Sequence, residues 1–104
     1  MDRFAALAEP NRRRMIELLG RGPRPAGAIA AEFALSAPAV SQHLKALREA
    51  GLVRVEVDGQ RRIYRLDPEG LAEVDAWIGR VRGDWKRRLD ALEAALQQEM
   101  GEKE

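Results

Sequence analysis

Residues 36–53 carry the side chains whose types and spacing could do chemistry in this chain. They read Ser-Ala-Pro-Ala-Val-Ser-Gln-His-Leu-Lys-Ala-Leu-Arg-Glu-Ala-Gly-Leu-Val. Apolar residues recur at helical spacing, at Val40, Leu44 and Leu47, which predicts one buried stripe of an amphipathic helix. Amides and hydroxyls can hydrogen-bond to base edges and cations can meet phosphate, so the rest of the helix favours binding to duplex DNA. The hydroxyl and amide belong to Ser41 and Gln42, and the cations are Lys45 and Arg48.

The ends of this helix and the hairpin after it are marked by local signals. Ser36 is a good N-cap and Gly51 is a typical residue for ending a helix. Residues 53–57 alternate apolar and charged side chains, as a half-buried strand does, and an Asp-Gly pair at 58–59 is a strong hairpin signal. Residues 62–66 form the returning strand. The tip of the hairpin therefore carries Gln60, Arg61 and Arg62.

Four further helices position these groups. Three short ones are predicted over residues 2–8, 10–19 and 26–33, and a long one over residues 68–100. We expect a mainly α fold with a small β-hairpin, in the order α-α-α-α-β-β-α. This order describes a winged helix-turn-helix that forms a single domain over residues 1–104, with 68–100 as a long C-terminal dimerisation helix.

The apolar residues of the last predicted helix are spaced by three and four, close to a heptad seam. They are Leu71, Val74, Ile78, Val81, Trp85, Leu89, Leu92 and Leu96. A helix of ~33 residues is ~50 Å long, which is longer than a domain of this size can cover. Part of the seam must therefore contact another chain or stay in water.

Charge and composition exclude several classes of protein. The net charge is only +1, but residues 1–66 carry 12 Lys and Arg against 7 Asp and Glu, whereas residues 67–104 carry 6 against 10. The basic half contains the predicted DNA-facing helix. No cysteine is present, which excludes thiol catalysis and thiolate metal sites, and no nucleophile has an evident base, so we expect no enzyme activity and no cofactor. Without a signal peptide or a long apolar run, a cytoplasmic protein is expected.

Three motifs agree in order and spacing and together resemble the ArsR/SmtB family of bacterial winged helix-turn-helix repressors. The first runs from Leu7 to Leu19, the second from Ser36 to Val53, and the third from Asp58 to Leu66. The resemblance covers roughly residues 3–92. It implies a homodimer, joined by the first and last helices, that binds an operator and represses a small operon. The implied dimer surface comprises Phe4, Leu7, Val74, Trp77, Ile78, Val81, Trp85, Leu89 and Leu92.

The resemblance also implies which residues contact DNA. Major-groove positions on the recognition helix fall on Ala37, Pro38, Ser41 and Gln42. Lys45 is expected at phosphate, and Arg61 and Arg62 on the wing at the backbone or minor groove. Arg48 is the other cation of the helix that can meet phosphate. Polar side chains are common in the family where this chain has Ala37 and Pro38, and these two apolar residues cannot form bidentate hydrogen bonds with bases. Base recognition is therefore expected to depend mainly on Gln42 and on DNA shape. His43 is expected to make a polar contact near the DNA or within the helix.

Many members of this family sense metals or arsenicals through cysteines near the third helix or through aspartate–histidine pairs on the last. Residues 25–31 here contain no ligand-type side chain, and residues 67–104 contain no histidine. Transition-metal sensing without imidazole or thiolate is poor chemistry. The chain therefore resembles the metal-independent branch, and an unidentified small-molecule effector stays compatible with it.

The sequence alone leaves two possible roles for some side chains. Trp77 and Trp85 either line an effector pocket or pack at the dimer interface, where large aromatics are favoured. Residues 12–14, three consecutive arginines, either contact DNA backbone or make surface ion pairs. The whole domain has an alternative as well: a winged helix that contacts only proteins and does not bind DNA.

Overall fold

The computed structural model describes residues 2–102. Its elements are α1 (Arg3–Leu7), α2 (Pro10–Leu19), β1 (Arg24–Pro25), α3 (Ala26–Ala31), α4 (Ala37–Glu49), β2 (Val53–Asp58), β3 (Arg61–Leu66) and α5 (Pro68–Glu102). The mainly helical winged helix-turn-helix is confirmed, with one correction to the predicted order. A two-residue strand, β1, precedes α3, so the hairpin is part of a three-stranded antiparallel sheet in the order β1-β3-β2.

Side-chain caps explain where the first helices begin. The Asp2 carboxylate accepts a hydrogen bond from the Ala5 N–H at 2.7 Å and caps α1. Glu9 does the same for α2, where it accepts from the Arg12 N–H at 2.9 Å. Such caps satisfy N–H groups that have no partner within a helix. They hold α1 and α2 as two separate helices joined by a two-residue turn.

The core lies where α2, α3, α4 and the sheet meet. Its largest fully buried side chains are Met15, Ile29, Leu44, Leu47 and Leu52. Smaller or nearly buried residues complete it: Ala6, Leu18, Leu19, Val40, Ala50, Val53 and Tyr64. The short helices and the two longer strands therefore contribute apolar side chains to a common core, which is how a chain of this size holds its helices at fixed angles.

The third helix is shorter than predicted. The sequence predicted residues 26–33, but α3 ends at Ala31, and Phe33 lies beyond it, half-buried against the core. Pro25 precedes α3 without a side-chain cap, and this residue pairs with Ile63 in the sheet while Arg24 pairs with Tyr64. Proline has no N–H to donate, so it suits an edge strand of this length.

The described residues fall into two compact units, divided between Val74 and Asp75. The first holds every element up to the first turns of α5. The second is helical, and its large apolar side chains are exposed; Trp85, for example, has 59% of its surface accessible. Within residues 2–102, no helix is long and apolar enough to cross a membrane.

Candidate nucleic-acid interface

The predicted division of α4 into a buried and an exposed face is observed. Val40, Leu44 and Leu47 are buried in the core. Ser36 caps the helix, its hydroxyl accepting from the Ala39 N–H at 3.2 Å. All six residues predicted to face DNA from this helix, other than His43, are exposed: Ala37, Pro38, Ser41, Gln42, Lys45 and Arg48. The core therefore fixes one face of α4 and leaves the other available to a ligand.

The hairpin presents its arginines as predicted. Gly59 adopts φ +64°, in the left-handed region that glycine favours, and so allows the tight turn between β2 and β3. Arg61 and Arg62 are the first two residues of β3, opposite Asp58 and Val57, and both arginines are exposed. Val57 is an apolar side chain left 72% accessible on the same hairpin. The tip thus offers two guanidinium groups beside one apolar side chain.

Two grooves with shared lining residues lie beside α4 and beside the wing. The first, about 190 Å³, lies between α3, α4 and the sheet, with Ser41 and Tyr64 among its lining residues. The second, about 510 Å³, is lined by the start of α3 and by Gln60, Arg61 and Arg62. Ala26 and Gly27 line both grooves, so Ser41 and the wing arginines flank the start of α3. The sequence did not predict that the start of α3 lies between Ser41 and the wing, because its small side chains carry no signal for binding.

Charge on the exposed face of α4 is partly compensated. The Lys45 ammonium lies 4.0 Å from the Glu49 carboxylate one turn later, and both side chains are well exposed. Such a pair contributes little to stability in water. Lys45, Arg48 and Glu49 together line a third open groove. The cations of this end of α4 are therefore accessible to phosphate, while Glu49 limits the local positive charge.

His43 differs from its neighbours on α4, because it contacts α2. Its Nδ1 accepts a hydrogen bond from Arg12 Nε at 3.2 Å and lies 3.8 Å from the Glu9 carboxylate, and only 20% of the side chain is exposed. Burial opposes ionisation of Glu9, but the Arg12 N–H, the Asn11 side chain and the attraction of His43 outweigh it and lower the pKa of Glu9. His43 thus ties the recognition helix to the start of α2.

The three consecutive arginines of α2 each have an intramolecular contact. Besides His43, Arg12 reaches the Ala6 carbonyl oxygen at 3.4 Å. Arg13 donates to the carbonyl oxygens of Leu7 and Ala8 at 2.8 and 3.0 Å, which satisfies the end of α1. The guanidinium of Arg14 lies 5.0 Å from the centre of the Phe33 ring, within the range of a cation–π contact. Of the two readings left open by the sequence, these contacts support the structural one.

The predicted dimer surface is exposed for most of its length. Phe4 and the residues from Trp77 onward are accessible: Trp77, Ile78, Val81, Trp85, Leu89 and Leu92. Leu7 and Val74 are instead half-buried, because they also pack against the core of the first unit. Among residues 2–102, no three His, Asp or Glu side chains are grouped so that they could hold a metal ion.

Comparison with known proteins agrees with this geometry. A family model described as a helix-turn-helix domain matches residues 7–56. The chain is 44% identical over 86 residues to the HTH-type transcriptional regulator Rv2034 of Mycobacterium tuberculosis, which covers 83% of this chain and 78% of that one. It is 35% identical over 75 residues to the transcriptional repressor SdpR of Bacillus subtilis, covering 72% and 83%. These relatives are transcriptional regulators and not enzymes.

Solved structures extend the likeness to three dimensions. A possible transcriptional regulator for arsenical resistance shares 46% identity with a TM-score of 0.72 and covers 78% of this chain and 84% of its own. The homodimeric winged helix-turn-helix DNA-binding domain of a possible ArsR-family regulator from Mycobacterium bovis shares 32% identity with a TM-score of 0.63, covering 77% and 74%. With a recognition helix exposed beside a wing of arginines, the chain belongs to the ArsR family of winged helix-turn-helix, DNA-binding transcription regulators.

Proposed function

We propose that the chain acts as a homodimeric repressor that binds an inverted-repeat operator and needs no metal effector. The observation that carries this proposal is the arrangement of α4, whose apolar face is buried in the core while Ser41 and Gln42 are exposed, as are the wing arginines Arg61 and Arg62. Repression is supported by the name of the relative SdpR, a transcriptional repressor. The dimer is supported by the homodimeric M. bovis neighbour.

Each exposed group of the interface has a role that fits its chemistry. The Gln42 amide can pair with the N6 and N7 edge of adenine in the major groove, and the Ser41 hydroxyl can bond to any base. Ala37 and Pro38 offer apolar contact to thymine methyl groups. The cations of α4 and of the wing are assigned to the backbone, which sets affinity and register more than sequence preference. They are Lys45, Arg48, Arg61 and Arg62.

We assign His43 to positioning rather than to direct contact with DNA. Its ring is turned toward Arg12 and Glu9 at the start of α2. With Nδ1 engaged by Arg12 and most of the side chain covered, the ring serves the contact between α4 and α2. Replacement of His43 should therefore weaken binding to every duplex, because it changes the orientation of α4. Replacement of Gln42 should instead change the preference for one base pair.

The dimer surface is assigned to Phe4, Leu7, Val74 and the exposed row of α5 from Trp77 to Leu92. A twofold dimer places the same patch of each protomer on its partner, so one apolar row covers another. The two recognition helices then lie about one turn of DNA apart, roughly 34 Å, and contact an inverted repeat.

Independence from metals follows from the donor atoms that the chain offers. These 104 residues include no cysteine and one histidine, and that histidine accepts a hydrogen bond from Arg12. Thiolates and imidazoles are the donors that zinc, nickel and copper prefer, and thiolates are the soft donors among them. Micromolar zinc, nickel or arsenite should therefore leave the protein on its operator in an anisotropy titration. Stoichiometric release that a chelator or dithiol reverses would contradict this assignment.

The proposed function is tested by selecting bound sequences from random duplex DNA. We expect a palindromic motif whose two halves lie about one helical turn apart, with an adenine at the position that Gln42 contacts. A protein with the wing arginines replaced, Arg61→Ala with Arg62→Ala, is the control, because it should lose most of its binding to every sequence. Recovery of no motif, with weak binding that salt abolishes equally for all sequences, would favour a winged helix that contacts only proteins.

A further inference from the structure

The recognition helix α4 ends in direct contact with the first turn of α5. Gly51 adopts φ +74°, and the Leu52 N–H donates back to the Leu47 carbonyl oxygen at 3.0 Å, so the chain turns sharply where α4 stops. Gly70 in α5 is buried, and a Cβ at that position would clash with the Gly51 carbonyl oxygen. The two backbones therefore touch, with no room for a side chain between them.

Arg3 joins three helices at this junction. Its Nε donates to the carbonyl oxygen of Ala50, the residue that caps α4, at 3.1 Å. Its Nη1 forms an ion pair with Glu73 in α5. A Cβ at Gly51 would lie 3.1 Å from Arg3 Nη2, which places the guanidinium directly on the turn. One side chain from α1 thus contacts both the end of the recognition helix and the start of the last helix.

We propose that Arg3 is a positioning residue, which sets the orientation of the recognition helix relative to the part of the dimer surface that α1 and the first turns of α5 form. This inference rests on the proposed function, since it needs a homodimer on an inverted repeat. Phe4 follows Arg3 in the chain and Val74 follows Glu73, and both of these neighbours belong to the proposed dimer surface. The side chain that holds the end of α4 therefore comes from the same turns that would contact the second protomer.

The hydrogen bond to Ala50 carries more of this effect than the ion pair. The Glu73 side chain is 68% exposed, and pairs in water contribute little. The Ala50 carbonyl is one of the last acceptors of α4, so its partner bears directly on the direction of the helix. Because Arg3 belongs neither to α4 nor to the wing, its loss should leave the phosphate contacts unchanged.

In a twofold dimer, the orientation of each recognition helix determines the half-site spacing that the protein prefers. Loss of Arg3 should therefore relax the preference for spacing. A side chain that matters only for folding would instead weaken binding to every duplex by the same factor. The two roles are separated by comparing duplexes within one protein, because a partly unfolded sample lowers all apparent affinities together.

The test measures affinity by fluorescence anisotropy for the selected operator and for versions lengthened at the centre by one and two base pairs. In Arg3→Met, the affinity ratio between the selected and the lengthened operators should fall about five-fold, the size expected for one hydrogen bond to a carbonyl. Arg13→Met is the matched control, because Arg13 also donates to main-chain carbonyls, but these belong to Leu7 and Ala8 at the end of α1 and not to α4 or α5. Its ratio should match that of the wild type, and Arg3→Lys, which keeps a donor, should recover part of the loss.

The outcomes separate this inference from the function on which it rests. A wild-type protein without any preference for spacing would overturn the proposed function and this inference together. A wild-type preference that survives in Arg3→Met would overturn this inference alone. Equal weakening of all duplexes by Arg3→Met would also overturn it, because that result assigns Arg3 to folding.

Discussion

The apolar faces of α4 and α5 follow similar helical spacing, but only one of them is covered within the chain. Val40, Leu44 and Leu47 of α4 are buried in the core. The large apolar side chains of α5 beyond Asp75 are all exposed, from Trp77 to Met100. Burying one such side chain fully contributes roughly 1.5–3 kcal/mol, so a row left in water forgoes much stabilisation.

This difference shows what a heptad-like pattern can and cannot predict. The spacing predicts a helix and the face that will be buried, but not whether the cover comes from the same chain. For α4 the cover is formed by neighbouring helices and the sheet. For α5 we propose that it comes from a second copy, since the row continues past the last residue of the compact N-terminal unit.

The largest effect is expected from placing charges in the α5 row. If each half of the dimer supplies about half of a free energy near −12 kcal/mol, a monomer binds only at tens of micromolar, roughly 10⁴-fold more weakly. Trp85→Asp with Leu89→Asp should therefore abolish operator binding, while circular dichroism shows that much of the helicity remains. The control is Ala91→Asp with Gln98→Asp, which adds the same charges on the other side of α5. A dimeric, operator-binding Trp85/Leu89 variant would refute the proposed surface.

A second comparison removes one leucine from each helix. Leu44→Ala opens a cavity in the core and should lower the free energy of unfolding by about 2–5 kcal/mol. Leu92→Ala lies on the exposed row and should leave the unfolding of the N-terminal unit unchanged, while it weakens dimerisation. Chemical denaturation at two protein concentrations measures both effects. The same loss of stability in the two variants, independent of concentration, would mean that Leu92 is buried within its own chain.

A smaller effect separates base contacts from phosphate contacts. Gln42→Ala should lose about 1–3 kcal/mol of discrimination at one base pair and keep the salt dependence of the wild type. Arg62→Ala should weaken binding to all sequences and lower the slope of log affinity against log salt by about one. Competition with singly substituted operators checks the first variant, and a salt titration checks the second. Full preference at every position in Gln42→Ala would remove Gln42 from the base-contacting face.

The smallest effect concerns the base of the wing, where Asp67 links α5 to β2. Its carboxylate accepts from the Glu69 N–H at 3.0 Å and pairs with Arg54 at 3.3 Å. Burial raises the pKa of Asp67, but the bonds from Arg54 and the Glu69 and Gly70 backbone outweigh it, so the pKa is lowered. A carboxyl with a lowered pKa stabilises the fold above its unfolded pKa, and the contribution is lost as pH falls through the folded value.

Asp67→Asn keeps a good helix cap and removes only the charge. Its melting temperature should therefore lie slightly below that of the wild type near pH 7, because the ion pair with the half-exposed Arg54 is lost and such pairs contribute little. The difference in melting temperature should begin to narrow as the pH falls below the usual carboxyl pKa, and it should vanish only below the lowered pKa of Asp67 in the folded protein. If the difference in melting temperature stays constant with pH, it comes from a change in the cap at Glu69 and not from the lost charge.

Local signals in the sequence predicted most of the fold. Ser36 and the Asp-Gly pair at 58–59 act through neighbours a few residues away, so the limits of α4 were predicted correctly and those of the two hairpin strands to within one residue. Strand β1 was missed because two residues, one of them Pro25, carry no strand pattern of their own and owe their structure to pairing with β3. Phe33 was placed in α3 for the same kind of reason, because its packing against Arg14 is not visible in the sequence.

The candidate site shows the same limit. Exposure of Ser41 and Gln42 follows from the helical pattern, which the residues themselves carry. The contact between His43 and Arg12 joins residues 31 positions apart, and that between Arg3 and Glu73 joins residues 70 apart. Contacts of this range depend on how the helices pack, so the residues that position α4 emerged only from the structure.

The central claim is that two copies of this chain bind one inverted repeat together. Sedimentation of the protein with the selected operator, alongside anisotropy on the full operator and on a single half-site, tests it most directly. We expect two protomers per duplex, dimers in free solution at micromolar concentration, and roughly 10⁴-fold weaker binding to the half-site. A protein that is monomeric at micromolar concentration, yet binds the operator with nanomolar affinity as a single copy, would contradict this account.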